Sequence, residues 1–344
     1  MTSTSSTIPI LTKPYVETPL IYSAPLSREV GCTVLLKLEF LQPSGSFKSR
    51  GLGNLVHKTL LTLPPGSKPH FFSSSGGNAG AAAAEACHRY GYPCTVAVPE
   101  TAAPHMVSRL REEYGATVIQ YGKVWRDADD KLREIMSTYD NETDVAVYCH
   151  PYDNQLVFEG HSTMVDEIVD QAVAMGYSAE SIKAVSCSVG GGGLFSGIAL
   201  GLQRRYKELK PMIVAVETTG ANKLYQSLQK GEKVSLSSIS TIASSLGANE
   251  VANKAWQLAQ DYPTLGVEVS DKDSVSACLR LLNEHRIMIE PACGAALAPW
   301  YNVDKYKVLD KVKLTKDDAV VLVVCGGSTL TLQSLQRYKE IYNL

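Results

Sequence analysis

The sequence predicts an α/β fold built on open, twisted, mostly parallel sheets flanked by helices. Three observations predict it. Strand-like and helix-like segments alternate nearly throughout the 344 residues, the order of strand–helix–strand crossover units. Met212 to Glu217 and Ala319 to Cys325 are short, apolar and rich in β-branched residues, as central strands buried on both faces are. Three glycine-rich turns also sit directly after strands: Ser73-Ser74-Ser75-Gly76-Gly77-Asn78-Ala79-Gly80, Ser188-Val189-Gly190-Gly191-Gly192-Gly193-Leu194 and Cys325-Gly326-Gly327-Ser328-Thr329. In open α/β sheets ligands bind beyond the carboxyl ends of strands, so three such turns are expected to converge on one crevice.

The elements follow in order. A strand from Thr33 to Phe40 runs into the turn Gln42-Pro43-Ser44-Gly45-Ser46-Phe47, after which Lys48 opens a helix. Phe71 to Ser73 ends a strand, and a helix runs from Ala79 to Tyr90. Cys94 to Val98 is a strand, Pro104 to Tyr114 a helix opened by proline, Thr117 to Gln120 a strand and Val124 to Thr138 a helix. Asp144 to Cys149 is a strand, Gln155 to Met175 a helix, Lys183 to Ser188 a strand and Leu194 to Leu209 a helix. After Ser328 one helix remains, Leu330 to Tyr342. No internal repeat or low-complexity linker marks a domain boundary.

Composition excludes several classes. Lys and Arg number 33, Asp and Glu 35, and the net charge is −2. Such a chain has no basic field for nucleic acid or an anionic membrane, and its longest basic run is Arg204-Arg205. No apolar stretch reaches the roughly 18 residues of a membrane span. The eight cysteines (32, 87, 94, 149, 187, 278, 293 and 325) form no CxxC pair and several fall in apolar runs. That pattern points to buried free thiols in a reducing compartment. Met1 to Ile10 is rich in Ser and Thr but has no arginine and no long apolar core. It therefore reads poorly as a secretory or mitochondrial signal. A cytoplasmic protein is expected, with the mitochondrion as the alternative.

The turn before Lys48 carries the chemistry. A lysine that reacts with an aldehyde needs a fixed amine of lowered pKa, and burial at a helix start away from carboxylates provides both. Gly190 to Gly193 present backbone N–H groups at a helix N-terminus, an arrangement that binds phosphate. A tight turn without ligand is the rival reading. No GxGxxG and no Gly-Lys-Ser/Thr is present, although Glu217 lies one βα unit downstream, where a dinucleotide site would place an acid. Asn78 can offer an amide to a ring oxygen, while Ser75 and its neighbours can receive a carboxylate, or Asn78 can simply cap its helix. Cys325 offers a neutral partner to a ring nitrogen, or is a buried thiol.

Taken together these residues resemble the fold-type II pyridoxal-phosphate (PLP) enzymes, the tryptophan synthase β family, and more narrowly its catabolic L-serine/L-threonine dehydratases of eukaryotes. The resemblance runs from about Thr18 to Thr329. Its markers are 43–51 (Pro-Ser-Gly-Ser-Phe-Lys-Ser-Arg-Gly), 74–80, 188–194, 290–296 (Glu-Pro-Ala-Cys-Gly-Ala-Ala) and 325–328. It implies that Lys48 is the Schiff-base lysine and the base at Cα, and that Phe47 packs on one face of the cofactor ring. Asn78 would partner the ring 3′-oxygen, Gly190, Gly191, Gly192 and Gly193 would form the phosphate cup, and Cys325 would meet the pyridine nitrogen. Ser75, Gly76 and Asn78 fall where the substrate carboxylate is held. Glu217, Ala221 and Leu246 lie near positions that cradle a monovalent cation, usually potassium, in relatives, but Lys223 replaces a small hydroxyl residue there. The family further implies a homodimer acting on a small amino acid. Each chain would have a smaller domain, 45–150, inserted into a larger one, 1–44 and 151–344.

Two departures bear on activity. Serine racemases of this family carry an acid, typically a serine, where Gly76 stands, so elimination is expected over racemisation. Ser245 stands where relatives carry alanine, beside the ring, and is expected to lower turnover. A racemase or a catalytically silent PLP binder of the same fold are the alternatives. Only one helix follows Ser328, too little for a regulatory domain. His150 and His161 read as capping or core residues, Trp125, Trp256 and Trp300 as packing against helices, and Asp127, Asp129 and Asp130 as a solvated face.

Overall fold

The computed structural model describes residues 12–139 and 143–344. Met1 to Ile10, on which the targeting expectation rests, lies outside the described residues. Ten strands are described: β1 (Leu20–Tyr22), β2 (Thr33–Lys37), β3 (Lys68–Ser73), β4 (Cys94–Val98), β5 (Thr117–Gln120), β6 (Asp144–Tyr148), β7 (Ile182–Ser188), β8 (Met212–Thr218), β9 (Thr264–Val269) and β10 (Ala319–Val323). They form a six-stranded sheet of order β1-β2-β10-β7-β8-β9 and a four-stranded sheet of order β5-β4-β3-β6. β1 pairs antiparallel with β2, and the other pairings in both sheets are parallel. Every residue of β10 and of β4 is buried, which is why these strands read as unbroken apolar runs without alternation.

Both sheets change direction where their loops carry glycine. In the larger sheet the chain steps from β7 outward to β8 and β9, then returns to place β10 on the other side of β7. In the smaller sheet it steps from β3 to β4 and β5, then returns to place β6 on the other side of β3. Such switch points leave a crevice at the carboxyl ends of the two strands involved. Gly190–Gly193 and Cys325–Ser328 lie at the first, Ser75–Asn78 and His150–Tyr152 at the second. The helix Lys48–Thr62 packs against the helix Gln155–Ala174, and thus joins the two sheets.

Several expectations are corrected. β2 ends at Lys37, and Glu39–Leu41 forms a tight helical turn. The helix from Pro104 is α-helical only to Ser108 and widens into a π turn over Arg109–Glu113. The helix expected to reach Leu209 stops at Arg205, because Tyr206 turns inward and donates to the Ala179 carbonyl oxygen at 3.0 Å. Between Glu217 and Ala319, where no element is expected above, stand β9 and helices that include Lys223–Lys230, Asp271–His285 and Pro291–Leu297. Trp300 is buried and Trp256 partly so, but Trp125 is about half exposed at 49%. Asp129 belongs to no solvated face: it is buried and accepts from the Tyr148 hydroxyl at 2.6 Å and from Arg133 Nε at 2.8 Å. All eight cysteines are buried and free.

Beneath the start of the helix that carries Lys48 lies a buried lattice of four charges. Arg50 forks onto Glu39, with Nε 2.7 Å from Oε2 and a terminal nitrogen 2.8 Å from Oε1. Its terminal nitrogens also reach the two oxygens of Glu167, each at 2.6 Å. Lys37 Nζ donates to Glu167 at 2.7 Å. Arg50, Glu39 and Lys37 are fully buried. Two cations thus meet two carboxylates in the bidentate geometry that planar guanidinium allows. Burial alone would raise the Glu167 carboxyl, but hydrogen bonds and charge from Arg50 and Lys37 hold it below its usual 4.5. Its share of stability is therefore complete above pH 4.5 and is lost as the pH falls through the lowered value. Removing one partner strands a buried charge. Arg50→Met is expected to cost about 3–5 kcal/mol in urea unfolding of the cofactor-free protein, and a loss below about 1 kcal/mol would show that the lattice is not under strain from burial.

Candidate active site

Lys48 is the first residue of its helix, and its turn is stitched to the end of β10. The Phe47 N–H donates to the Cys325 carbonyl oxygen at 3.0 Å, and the Gly327 N–H to that of Gly45 at 3.0 Å. The Ser49 hydroxyl closes the turn from inside by bonding Ser44. Lys48 Nζ lies 5.2 Å from the Phe47 ring centre and donates to the Pro151 carbonyl oxygen at 2.5 Å, at the switch point of the smaller sheet. The amine is enclosed by protein. Burial pushes its pKa down to about 8, against the Coulombic pull of Cys325 and Glu290. The expectation of a lysine remote from carboxylates is corrected in this respect: Glu290 is near enough to act on it. Behind Phe47, with ring centres 4.9 Å apart and planes tilted by 50°, lies the buried ring of His161, which burial keeps neutral.

Asn78 is held from both sheets. Its Oδ1 accepts from the Ser328 N–H at 2.8 Å and the Ser328 hydroxyl at 3.1 Å. Its Nδ2 donates to Glu290 Oε1 at 2.9 Å and, more weakly, to Ser245 Oγ at 3.3 Å. Glu290 is fixed in turn by the Thr329 hydroxyl at 2.6 Å. Neither Glu290 nor Ser328 and Thr329 was assigned to this contact from sequence. The only signal was the place of Glu290 and Ser328 in the markers 290–296 and 325–328, and of Thr329 at the end of the glycine-rich turn that starts at Cys325. Ser75 Oγ accepts weakly from the Gly77 N–H at 3.4 Å, while the N–H groups of Ser75 and Gly76 have no acceptor among the described residues. A Cβ on Gly76 would stand 3.0 Å from Val98 Cγ1, a tight fit for any side chain.

The glycine run forms a cradle. The N–H groups of Gly190, Gly191 and Gly192 likewise donate to no acceptor among the described residues, at the N-terminus of the helix Gly193–Arg205. Gly192 has φ +91°, and a Cβ on Gly191 would lie 2.3 Å from the Tyr152 ring. Glycine is thus required by both backbone conformation and close approach. Free N–H groups at a helix start, an amine of lowered pKa and a buried thiol suit a phosphorylated aldehyde. Cys325 is buried, with Sγ 3.7 Å from the Ser188 hydroxyl. The donor set therefore fits PLP.

A third group lies behind the cradle. Glu217 is buried, with Oε2 accepting from the Tyr225 N–H at 2.7 Å. Such a carboxylate cannot face a ribose, which removes the dinucleotide reading. Lys223 Nζ lies 3.1 Å from Glu217 Oε1 and donates to the carbonyl oxygens of Val189, Ala221 and Leu246 at 3.1, 3.0 and 2.8 Å. Where a monovalent cation was expected on Glu217, Ala221 and Leu246, the Lys223 amine stands instead: the Ala221 and Leu246 carbonyls accept from it, and Glu217 Oε1 lies 3.1 Å away without a hydrogen bond of its own.

A sequence profile described as pyridoxal-phosphate dependent enzyme matches residues 11–326. The chain belongs to this family. Among the relatives of this PLP enzyme is the catabolic L-serine/threonine dehydratase of Saccharomyces cerevisiae, 42% identical over 94% of this chain and 90% of the relative. The L-serine dehydratase/L-threonine deaminase of Mus musculus is 37% identical over 94% of this chain and 95% of its own. Among solved structures, a fungal L-serine ammonia-lyase from Rhizomucor miehei matches with a TM-score of 0.85 at 30% identity, covering 96% of this chain and 100% of that one. Maize serine racemase matches with a TM-score of 0.81 at 26% identity, covering 96% and 94%. A lysine that captures the aldehyde of PLP must do so as the neutral amine, and Lys48 is the candidate. Capture of PLP by cofactor-free protein, followed by absorbance, should accelerate with pH and level off near pH 8. A rate still climbing at pH 10, as for a free lysine, would contradict the enclosed amine.

Proposed function

We propose that this PLP enzyme is an L-serine dehydratase that converts L-serine to pyruvate and ammonia, and L-threonine to 2-oxobutanoate, in amino-acid catabolism. The observation that carries the reading is the lowered, enclosed amine of Lys48, set among the Ser75–Asn78 loop, the glycine cradle and Cys325, in a chain whose curated relatives are serine and threonine dehydratases. PLP, when bound, supplies the electron sink that makes the substrate Cα–H acidic. Gly190 to Gly193 would hold its phosphate and Phe47 would pack on its ring. Cys325 would offer the ring nitrogen a neutral partner, and Asn78 would turn its weakly bonded N–H from Ser245 to the ring oxygen.

The remaining work falls to side chains and backbone. The Ser75 and Gly76 N–H groups, with the Ser75 hydroxyl and Asn78, would fix the substrate carboxylate and so point Cα–H at Lys48. Lys48, first the residue that holds the cofactor, then takes that proton as a neutral amine. The β-hydroxyl leaves as water, taking up one proton, which balances the proton Lys48 removed from Cα, and hydrolysis of the released product gives pyruvate and ammonia. On the face opposite Lys48, Gly76 has no proton to return, which favours elimination. Ser245 tethers Asn78 and moderates turnover. A homodimer located in the cytoplasm is part of the same reading. Among the described residues no helix is long and apolar enough to cross a membrane.

Purified protein loaded with PLP should form pyruvate from L-serine in a coupled assay. Lys48→Ala should keep its circular dichroism and lose at least about a thousandfold in rate. D-Serine should appear at least about tenfold more slowly than pyruvate. Racemisation as fast as elimination would overturn the role given to Gly76, and no pyruvate from either amino acid would overturn the dehydratase reading. Light scattering should give twice the chain mass, and a monomer would remove the homodimer.

A further inference from the structure

Lys223 is fully buried, and burying an ammonium is costly unless its N–H groups are all met. Here they are. The three carbonyl oxygens around Nζ can only accept, and a lysine that donates to all three uses three N–H groups, which only the protonated amine has; the Leu246 oxygen accepts from the Ala248 N–H as well. The Glu217 carboxylate, 3.1 Å away, balances the charge and also receives the Tyr225 N–H at the start of the helix Lys223–Lys230.

The acceptors come from three segments. Val189 is the residue between β7 and Gly190, and Ala221 lies in the turn after β8. Leu246 ends the tight turn Ser244–Leu246. That last turn leans on the cradle: a Cβ on Gly190 would stand 3.0 Å from the Ser245 carbonyl oxygen. It also carries the hydroxyl that meets Asn78 at 3.3 Å. One ammonium therefore ties the exits of β7 and β8 to the turn that touches both the glycine cradle and Asn78. Without a cation there, three carbonyl dipoles would converge on one another in a dry space. Their repulsion would move Gly190 and Ser245.

We propose that the Lys223 ammonium is a built-in cation that sets the phosphate cradle, so that this chain binds PLP and turns over without an added monovalent metal ion. The inference rests on the PLP reading above and makes Lys223 a positioning residue. No step passes through it.

The test is PLP titration of cofactor-free protein, read by the absorbance of lysine-bound cofactor and by thermal midpoint, in potassium chloride and in choline chloride at equal ionic strength. The unmodified protein should bind PLP equally in both salts. Lys223→Ser should bind about tenfold or more weakly in choline and recover in potassium, because the vacated carbonyls, the serine hydroxyl and Glu217 form an all-oxygen site for a hard cation. Lys223→Met, with no charge and no oxygen ligand, should not recover in either. A merely structural lysine would show no rescue by potassium. The proposal is overturned if potassium strengthens PLP binding by the unmodified protein several-fold, or if Lys223→Ser in choline binds as tightly as the unmodified protein. Should both variants be insoluble, the comparison of salts on the unmodified protein decides alone. Because these readouts need no amino-acid substrate, a protein that makes no pyruvate yet binds PLP independently of potassium would sink the dehydratase reading and leave Lys223 in place.

Discussion

The fork of Arg50 onto Glu39 and Glu167 is the contact on which the rest depends. A reactive lysine must be enclosed, or its amine stays protonated, yet an enclosed lysine on a loose turn would reach nothing reproducibly. The chain separates these demands within three residues. Arg50 takes the structural charge and has it met in full on the far side of the helix start. Lys48 on the near side is left with a single carbonyl partner, Pro151. Because Glu39 follows β2 and Glu167 lies on the helix Gln155–Ala174, the fork also fixes how the helix of Lys48 leaves the larger sheet for the smaller one.

Much of this was legible in the sequence, for reasons of local physics. The strands Cys94–Val98 and Thr117–Gln120 were read with both ends correct. Each is a short β-branched run closed by turn residues, and such ends depend on few distant contacts. The glycine loops were readable because positive φ and close approach leave no substitute residue at Gly191 and Gly192. Contacts made by long-range approach were not readable. Asp129 looked like one of three acids on a polar helix face, and nothing near it in sequence announces Tyr148. Glu290 meets Asn78 across 212 residues. In the stretch between Glu217 and Ala319 the strand β9 is half-buried and most helices are short, so neither period repeats long enough to register, but the 15-residue helix Asp271–His285, capped by Ser270, did carry a readable signal.

Lys223 shows how the two kinds of information combine. A lysine at that place is odd on sequence alone, but its meaning is not legible there. An ammonium with three carbonyl oxygens and a carboxylate around it is a coordination sphere in which the central ion is covalently attached. The same oxygen donors that would attract a metal ion are what make the lysine tolerable in a dry interior.

The two sheets reverse strand order at facing ends, and this arrangement divides labour. Loops of the larger sheet gather most of what would grip the cofactor, while the Ser75–Asn78 loop of the smaller sheet gathers what would grip the amino acid, with Asn78 serving both. Affinity for one partner and choice of the other would thus be written largely on separate scaffolds, bridged at Asn78. A lineage can revise its diet by editing the small sheet, leaving the cofactor's berth as inherited.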